Sequence, residues 1–511
     1  MKRTFSHDGS SESSAEPSKK AKPLVPAGSF ADVLAGMEDL QDDLKRSAFS
    51  WQGNENSLVF QQLDVQELND NKTSSILIYG VTEEGHSICV RVNGFLHYFH
   101  YPIEIGYQDS FLESLRQSLN TRFDGNLIKH IRCVSHSRRA GGPPTPWLEF
   151  SVSSSSTLGK IKELRLKRDS VHQFEDFKLT FNRTIGHDID YVFRFMIDTG
   201  LNGMSWLQIP AEKYTIVEGS AKVSTCQLEI SVEYSDFRPE EPPEQQNKTA
   251  PLRILSFDIE TMIPAIGFPD PSTEEVIQIA SMLTRHGETQ PFYRSVMTLN
   301  PCNTIDGAHV SSFPTEIALL EAWFRFLEEA DPDVFTGYNS AHFDMQYIFS
   351  RAKKHGIPCS FGRLLKPDLG SIVFHFGRSS LCNYIPLLPG VLNFDMYQYI
   401  KQHHSRSPSG QRIPCSLGAT SLRFLGEDKE DINYKMIPEL QNGSDEDRKK
   451  LAVYCMKDAY LPQRLLDNLD ALNKSITKAR PVPVPFNIFF MRPEVASFIR
   501  TKKTEFHRLA A

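Results

Sequence analysis

The sequence lacks the features that mark membrane proteins, secreted proteins and metal-cluster proteins. Its eight cysteines are scattered and none forms a Cys-x-x-Cys pair, which argues against zinc or iron–sulfur sites and favours a reducing compartment. No apolar run of about 18 residues occurs, so we expect no transmembrane helix. The N-terminus is polar and has no apolar core of a secretory signal. We therefore expect no membrane association.

The composition is ordinary for a globular protein of two or three domains. Of the 511 residues, 40% are hydrophobic and 23% are charged, and the net charge is −7. This acidic balance does not exclude nucleic acid as a partner, because basic residues can cluster locally. Local composition predicts a disordered tail at 1–50, a strand-rich domain at 51–236, a linker at 237–251, an α/β domain at 252–475 and a C-terminal tail at 476–511.

The N-terminal tail has two basic clusters, Lys2-Arg3 and Lys19 to Lys22. They fit a bipartite nuclear-import signal or a solvated charged tail equally well. Apolar residues at helical spacing predict a short docking helix over Phe30 to Leu44.

The strand-rich region offers one clear hairpin. Ile76–Tyr79 and Ser87–Val92 flank a Glu-Glu-Gly turn, which is typical of a β-hairpin. Further strands are predicted at Tyr191–Ile197 and Gln227–Tyr234.

Two patterns in this region leave alternatives open. Phe95, Tyr98, Phe99 and Tyr101 could form a platform for base stacking or simply part of the core. The basic run from Lys160 to Arg168 could contact phosphates or form a solvated helix face.

The most informative stretch is Arg253–Thr261. Apolar residues dominate it and Pro251 and Pro264 lie on either side, which predicts a buried strand. Because strand side chains alternate, Asp258 and Glu260 share a face. Adjacent carboxylates repel each other unless a cation neutralises them, and hard oxygen ligands suit Mg²⁺ or Mn²⁺. A strand end that frays into a solvated loop is the alternative.

Two further acids belong to the same α/β domain. Asp344 begins a predicted helix, which runs to about Lys354, after a short strand at Val334–Gly337. Asp458 lies on a helix that begins at Ser444 with a capping box. Acids on strands and helices of an open α/β sheet can converge at the carboxyl ends of its strands.

The last helix also carries Tyr454, one turn before Asp458 and on the same face. Pro462 should kink or end this helix near Asp458. Four acids and a tyrosine suit phosphoryl transfer with two metal ions. The other elements predicted here are strands at Val276–Leu283 and Phe292–Leu299 and a helix from Thr315 to Glu329.

Three motifs resemble, in order, the exonuclease motifs of family B DNA polymerases. They are Phe257-Asp258-Ile259-Glu260, the turn from Tyr338-Asn339 to Phe343-Asp344, and Tyr454-Cys455-Met456-Lys457-Asp458. The surrounding sequence, from Phe424 to Asp431 and from Leu440 to Pro462, is similar to eukaryotic replicative members of that family. The likeness extends from about residue 60 to about residue 470.

This resemblance implies a fold and a metal site. The fold would be a ribonuclease H-like 3′→5′ exonuclease domain at 252–475, preceded by a strand-rich, OB-like N-terminal domain. Asp258, Glu260 and Asp458 would hold the catalytic Mg²⁺ or Mn²⁺, and Asp258 and Asp344 would serve a second ion. Tyr454 would orient the attacking water.

The resemblance also implies a substrate path. Thr261, Asn339 and Phe343 would line the route of the terminal nucleotides of single-stranded 3′ ends or primer–template DNA. Core packing is the alternative role for Phe343 and Tyr454. The implied location is the nucleus, in DNA replication.

Several parts of the family pattern have no counterpart in the sequence. The palm, fingers, thumb and C-terminal cysteine modules are missing, so we expect no primer extension and no iron–sulfur cluster or zinc. Accessory subunits and a sliding clamp would bind only through the missing region. Between 366 and 395 the sequence permits the hairpin that the family carries there but does not demand it. A catalytically inert fragment and a single-stranded DNA-binding module remain alternative functions.

Overall fold

The computed structural model describes most of the chain. The described residues are 30–37, 44–49, 57–69, 73–122, 125, 127–137, 143–166, 171–180, 183–186, 189–359, 361–365, 388–428 and 432–500. The predicted import signal and most of the 366–395 region lie outside them. No helix in these ranges combines the length and the apolar character needed to cross a bilayer.

The N-terminal half is strand-rich, as predicted. Its strands are β1 (Leu58–Asn69), β2 (Ser74–Thr82), β3 (Ser87–Asn93), β4 (His97–Pro102), β5 (Ile128–Ser137), β6 (Pro144–Val152), β7 (Val171–Phe174), β8 (Phe177–Thr180), β9 (Trp206–Ile209), β10 (Thr215–Ile216) and β11 (Leu228–Glu233). A six-stranded sheet has the order β10-β11-β3-β2-β1-β9, and a smaller sheet has the order β4-β6-β5. The antiparallel pair β2–β3 confirms the predicted hairpin.

The aromatic residues that follow this hairpin belong to the core. Phe95, Phe99 and Tyr101 are buried, and the ring of Phe99 stacks on that of Phe150. Tyr98 lies under the guanidinium of Arg194. Within the described chain, this cluster therefore supports the sheets rather than offering a free stacking platform.

In the described part of this half, three helices accompany these sheets: α2 (Asp109–Arg122), α3 (Ser155–Leu166) and α4 (Tyr191–Thr199). Helix α1 (Phe30–Ala35) packs instead on the second half of the chain. The predicted strand at Tyr191–Ile197 is wrong, because these residues form α4. The side chain of Asp190 accepts a hydrogen bond from the backbone N–H of Val192, and Gly200 ends the helix in the left-handed conformation. These caps, and burial of one helix face against the six-stranded sheet, outweigh the strand preference of the aromatic and β-branched residues.

The second half is an α/β domain. Its strands are β12 (Arg253–Thr261), β13 (Val276–Arg285), β14 (Tyr293–Leu299), β15 (His309–Phe313), β16 (Val334–Gly337) and β17 (Leu392–Asp395), in the sheet order β15-β14-β13-β12-β16-β17. Its helices are α5 (Glu316–Ala330), α6 (Asp344–His355), α7 (Met396–His403), α8 (Leu417–Leu425), α9 (Ile437–Asn442), α10 (Asp445–Asn468), α11 (Ala471–Ala479) and α12 (Phe486–Met491). The predicted strands and helices of this region are confirmed to within two residues at almost every boundary.

Helix α10 is the long helix that crosses the sheet beside β12. It begins at the predicted capping box, in which Ser444 and Asp447 each accept a hydrogen bond from the other's backbone. Pro462 was expected to kink or end the helix near Asp458, and it does not end the helix, since α10 continues to Asn468. Pro462 is buried, and the apolar neighbours that pack around this part of the helix offset the hydrogen bond that proline cannot donate.

Helix α1 docks on α10. Phe30 and Leu34 are buried, and the ring of Phe30 lies 5.3 Å from that of Tyr460. The predicted docking is therefore confirmed, but the helix is shorter than expected because it ends at Ala35, where Gly36 follows in a turn.

A buried ionic cluster joins the start of β12 to two distant segments. The carboxylate of Asp333 accepts hydrogen bonds from Arg46 at 2.7 Å, from Arg363 at 2.6 Å and from the backbone N–H of Arg253 at 2.7 Å. Asp331 pairs with the same two arginines. Burial alone would raise the pKa of Asp331, but Arg363 and Arg46 outweigh it and hold that pKa below its usual range.

We expect Asp333→Asn to destabilise the fold. The substitution leaves two buried guanidinium groups short of negative charge, which should lower the free energy of unfolding by about 3–5 kcal/mol. Chemical denaturation measures this change. The matched control is Glu288→Gln, which removes an exposed partner of Arg285 and should cost less than about 1 kcal/mol. Equal effects of the two variants would contradict the role of the cluster.

A second buried acid lies where the two halves meet. Asp64 on β1 accepts hydrogen bonds from the backbone N–H of Gly390 at 3.0 Å and from Gln66 at 2.8 Å. Burial raises the pKa of Asp64 to about 6. Gly390 has a φ of 79°, and a Cβ there would lie 2.6 Å from the ring of Tyr79. The contact therefore requires glycine.

The raised pKa of Asp64 predicts a pH-dependent stability. The folded state holds the Asp64 proton more tightly than the unfolded state, so this group's contribution is most favourable below pH 4 and is lost as the pH rises towards 6. Asp64→Asn removes the cost of the buried charge. The free energy of unfolding of this variant, relative to that of the unsubstituted chain, should therefore rise by up to about 3 kcal/mol between pH 4 and pH 6. A difference that stays constant across this range would refute the assignment.

Candidate active site

Strand β12 presents two carboxylates on one face, as its alternation predicts. Asp258 pairs with Ala280 of β13, and Glu260 pairs with Gln278. Glu260 is buried and Asp258 is half-buried. Carboxylate oxygens of both residues and the Sγ of Cys455 all lie within 4.8 Å of one another. Side chains from β12 and α10 therefore meet at one place.

Cys455 is a member of this group that sequence reasoning missed. Its Sγ donates towards the backbone carbonyl of Asp258 at 3.5 Å and lies 3.8 Å from Asp258 Oδ2. Burial and the adjacent acids raise the pKa of the Cys455 thiol well above its usual value. The contact of the thiol with the backbone carbonyl of Asp258 supports the position of that residue on β12. The position of Cys455 within the third motif was the sequence signal that could have identified it.

Asp344 comes to the same region from the start of α6. The backbone N–H of Ile259 on β12 donates a hydrogen bond to Asp344 Oδ1 at 3.2 Å. Burial raises the pKa of Asp344 to about 7, and the charges of Asp395 and Asp458 add to this increase. The second motif thus lies against the first, and the acids that meet there accumulate negative charge.

Helix α10 supplies the third motif. Asp458 and Tyr454 are both buried and lie one turn apart on the helix. The hydroxyl of Ser256 on β12 donates to the backbone carbonyl of Ala459. This contact fixes the position of α10 along β12. Asp344 and Asp458 do not belong to the group of ligand atoms that all lie within 4.8 Å of one another.

The turn between β16 and α6 is held tightly against β12. A Cβ on Gly337 would lie 2.9 Å from the backbone oxygen of Phe257 and 2.8 Å from Ser340 Cβ. Asn339 has a φ of 68°, a left-handed backbone conformation that residues other than glycine rarely adopt. Its strain indicates that surrounding contacts impose the shape of this turn.

Those contacts come from Asp395, a second residue that sequence reasoning missed. Asp395 ends β17 and is fully buried. Its side chain accepts hydrogen bonds from the backbone N–H groups of Asn339, Ala341 and Tyr397. Burial raises the pKa of Asp395, and these N–H groups oppose that increase. The sequence signal would have been an aspartate between a short strand and a helix.

The residues predicted to line the nucleotide path lie around this site. Thr261 is buried at the end of β12, Asn339 is half-buried in the turn, and the ring of Phe343 is 39% exposed at the start of α6. Phe343 packs against Tyr347 with ring centroids 5.6 Å apart. Its exposure disfavours the alternative that Phe343 serves only in the core.

The donor set fits a hard divalent cation. Carboxylate oxygens are the ligands that Mg²⁺ and Mn²⁺ prefer, and a bound cation would offset the burial and the neighbouring charges that raise the pKa of Asp344. Among the described residues, the group of Asp258, Glu260 and Cys455 is the one that places three potential ligand atoms together.

Comparison with known proteins shows which fold the chain shares. Residues 183–409 match the description "DNA polymerase family B, exonuclease domain". The structure of a family B DNA polymerase from the archaeon Pyrobaculum calidifontis superimposes with a TM-score of 0.59 at 21% identity, covering 85% of this chain and 48% of that one. The chain therefore carries the exonuclease domain fold of family B DNA polymerases.

More specifically, the chain is similar to DNA polymerase delta catalytic subunits. It is 37% identical to that of Candida albicans over 85% of this chain and 41% of the relative. It is 35% identical to that of Schizosaccharomyces pombe over 91% and 44%, and 33% identical to that of Bos taurus over 85% and 41%. The predicted resemblance is confirmed, and the chain spans about two fifths of the length of these relatives.

We expect Gly337→Ala to displace the turn that carries the second motif. The new methyl group would meet backbone atoms of β12 that cannot move aside, so the free energy of unfolding should fall by about 1–3 kcal/mol. The control is Gly159→Ala on α3, where a Cβ meets nothing within 4 Å and the change should stabilise by up to about 1 kcal/mol. Thermal or chemical denaturation distinguishes the two, and an unaffected Gly337→Ala variant would contradict the close approach.

Proposed function

We propose that this chain is a 3′→5′ exonuclease that removes nucleotides from single-stranded DNA ends with the help of two Mg²⁺ or Mn²⁺ ions. The observation that carries the proposal is the meeting of the three motifs. Asp258 and Glu260 on β12 adjoin Asp344 of α6 and the helix that bears Asp458. Its similarity to delta catalytic subunits supports the same assignment.

The acids have distinct roles in this proposal. Asp258, Glu260 and Asp458 would hold one ion, and Asp258 with Asp344 would hold the other. When bound, the ions supply an activated water and charge stabilisation of the phosphate oxygens that enter and leave. Glu260, Asp344 and Asp458 are buried, and a low dielectric constant around them strengthens their attraction for a cation.

The remaining residues handle the water and the substrate. The hydroxyl of Tyr454, one turn before Asp458, orients the attacking water. Thr261 and Asn339 contact the terminal nucleotide, and the exposed ring of Phe343 stacks on a base. Such a site would proofread newly made DNA in the nucleus. Single-stranded 3′ ends are its proposed substrate.

A timed digestion of a 5′-labelled single-stranded oligonucleotide with Mg²⁺ tests the proposal. The unsubstituted chain should shorten the oligonucleotide stepwise from its 3′ end, and Asp258→Ala/Glu260→Ala should lose the activity, because the ion has lost two of its ligands. The matched control is Glu328→Ala/Glu329→Ala, which removes the same charge from the exposed face of α5 and should digest normally. No shortening by a folded preparation would leave an inert or merely DNA-binding chain.

Tyr454→Phe tests the role of the tyrosine separately. The substitution keeps the buried ring and removes only the hydroxyl, so the free energy of unfolding should change little. The rate at saturating DNA should fall about tenfold to a hundredfold because the water is no longer oriented. Unchanged kinetics would assign Tyr454 to core packing alone.

A further inference from the structure

The carboxylate of Asp395 holds the backbone of the turn that forms the second motif. Its Oδ1 accepts hydrogen bonds from the backbone N–H of Asn339 at 2.9 Å and of Tyr397 at 2.8 Å, and its Oδ2 accepts one from Ala341 at 3.2 Å. Register pairing places Asp395 beside Gly337 of β16. One side chain thus ties the end of β17, the start of α7 and the turn after β16.

These hydrogen bonds define what Asp395 can do. Both oxygens already accept backbone N–H groups, and the residue is fully buried, so it is not placed to bind an ion or a nucleotide directly. Instead it fixes Asn339 in its left-handed conformation. The carbonyl of Asn339 then accepts the backbone N–H groups of His342 and Phe343, which sets the start of α6.

The position of the substrate-facing side chains follows from this chain of contacts. Phe343 immediately precedes Asp344, and its exposed ring packs on Tyr347. The hydroxyl of Tyr347 is in turn anchored to the backbone carbonyl of Glu274. Packing on Tyr347 therefore holds the ring of Phe343 against α6. The backbone of the turn that precedes Phe343 is held by Asp395.

We propose that Asp395 is a positioning residue for the DNA substrate: by holding the backbone of Asn339 and Ala341, it sets where Asn339 and Phe343 meet the terminal nucleotides of a single strand. The inference rests on the proposed exonuclease function. It goes beyond that function by assigning a role in DNA binding to a residue outside the three motifs.

Asp395→Asn is a sharp test because it preserves size. The amide oxygen can still accept from Asn339 and Tyr397, which keeps the cap of α7. The amide nitrogen then faces the N–H of Ala341, so that two donors oppose each other. The substitution therefore releases the Ala341 side of the turn selectively. The matched control is Thr315→Ala, which removes the hydrogen bond that caps α5, a helix that carries no proposed site residue.

Two measurements report the effect. With EDTA present, fluorescence anisotropy of a 5′-labelled single-stranded oligonucleotide gives DNA binding without metal, and the Kd of Asp395→Asn should rise about tenfold. In Mg²⁺-dependent digestion the KM should rise by a similar factor, while kcat stays within about threefold. Thr315→Ala should leave both Kd and KM unchanged.

The outcomes separate this inference from the proposed function. Suppose that the unsubstituted chain binds and digests DNA. If Asp395→Asn then has the same Kd and KM as the unsubstituted chain or as Thr315→Ala, Asp395 is a structural cap and the inference is overturned. A fall in kcat with Kd and KM unchanged would also overturn it. If the unsubstituted chain binds DNA but does not digest it, the exonuclease proposal fails while the Kd comparison still decides the role of Asp395. An unsubstituted chain that neither binds nor digests DNA overturns both.

Discussion

The structure depends on a conflict between burial and charge at the end of β12. Asp258 and Glu260 share one face of a strand that lies inside the sheet, and Asp344 and Asp458 add further negative charge from two helices. Burial and mutual repulsion both oppose ionisation, as the raised pKa of Asp344 records. A fold that keeps four acids in this arrangement must fix the surrounding backbone firmly, and a divalent cation would resolve the conflict.

Hydrogen bonds and ion pairs from both halves of the chain hold this backbone in place. Helix α10 is fixed to β12 through Ser256, and the turn bearing Asn339 is fixed by Asp395. Behind the sheet, the ionic cluster around Asp333 ties the start of β12 to Arg46 and Arg363. The N-terminal half is therefore part of the framework that holds the α/β domain.

Local sequence signals predicted much of this architecture. The alternation of β12 placed Asp258 and Glu260 correctly, and the capping box at Ser444 gave the start of α10. The errors arose where tertiary packing overrode local preference. Pro462 stays inside a helix because its neighbours are buried, and the aromatic residues of α4 form a helix because caps and a facing sheet support one. Asp395 and Cys455 were missed although each had a local signal, because the contacts that define their roles reach backbone groups distant in sequence.

The central claim is that the four acids bind two metal ions, and the most direct test is to locate manganese. Crystals of the chain soaked in Mn²⁺ should show anomalous density for one ion among Asp258, Glu260 and Asp458 and for another between Asp258 and Asp344. Density at both positions, lost in Asp258→Ala, is the result that this account predicts. Ordered acids without any manganese between them, or manganese bound only elsewhere, would contradict it.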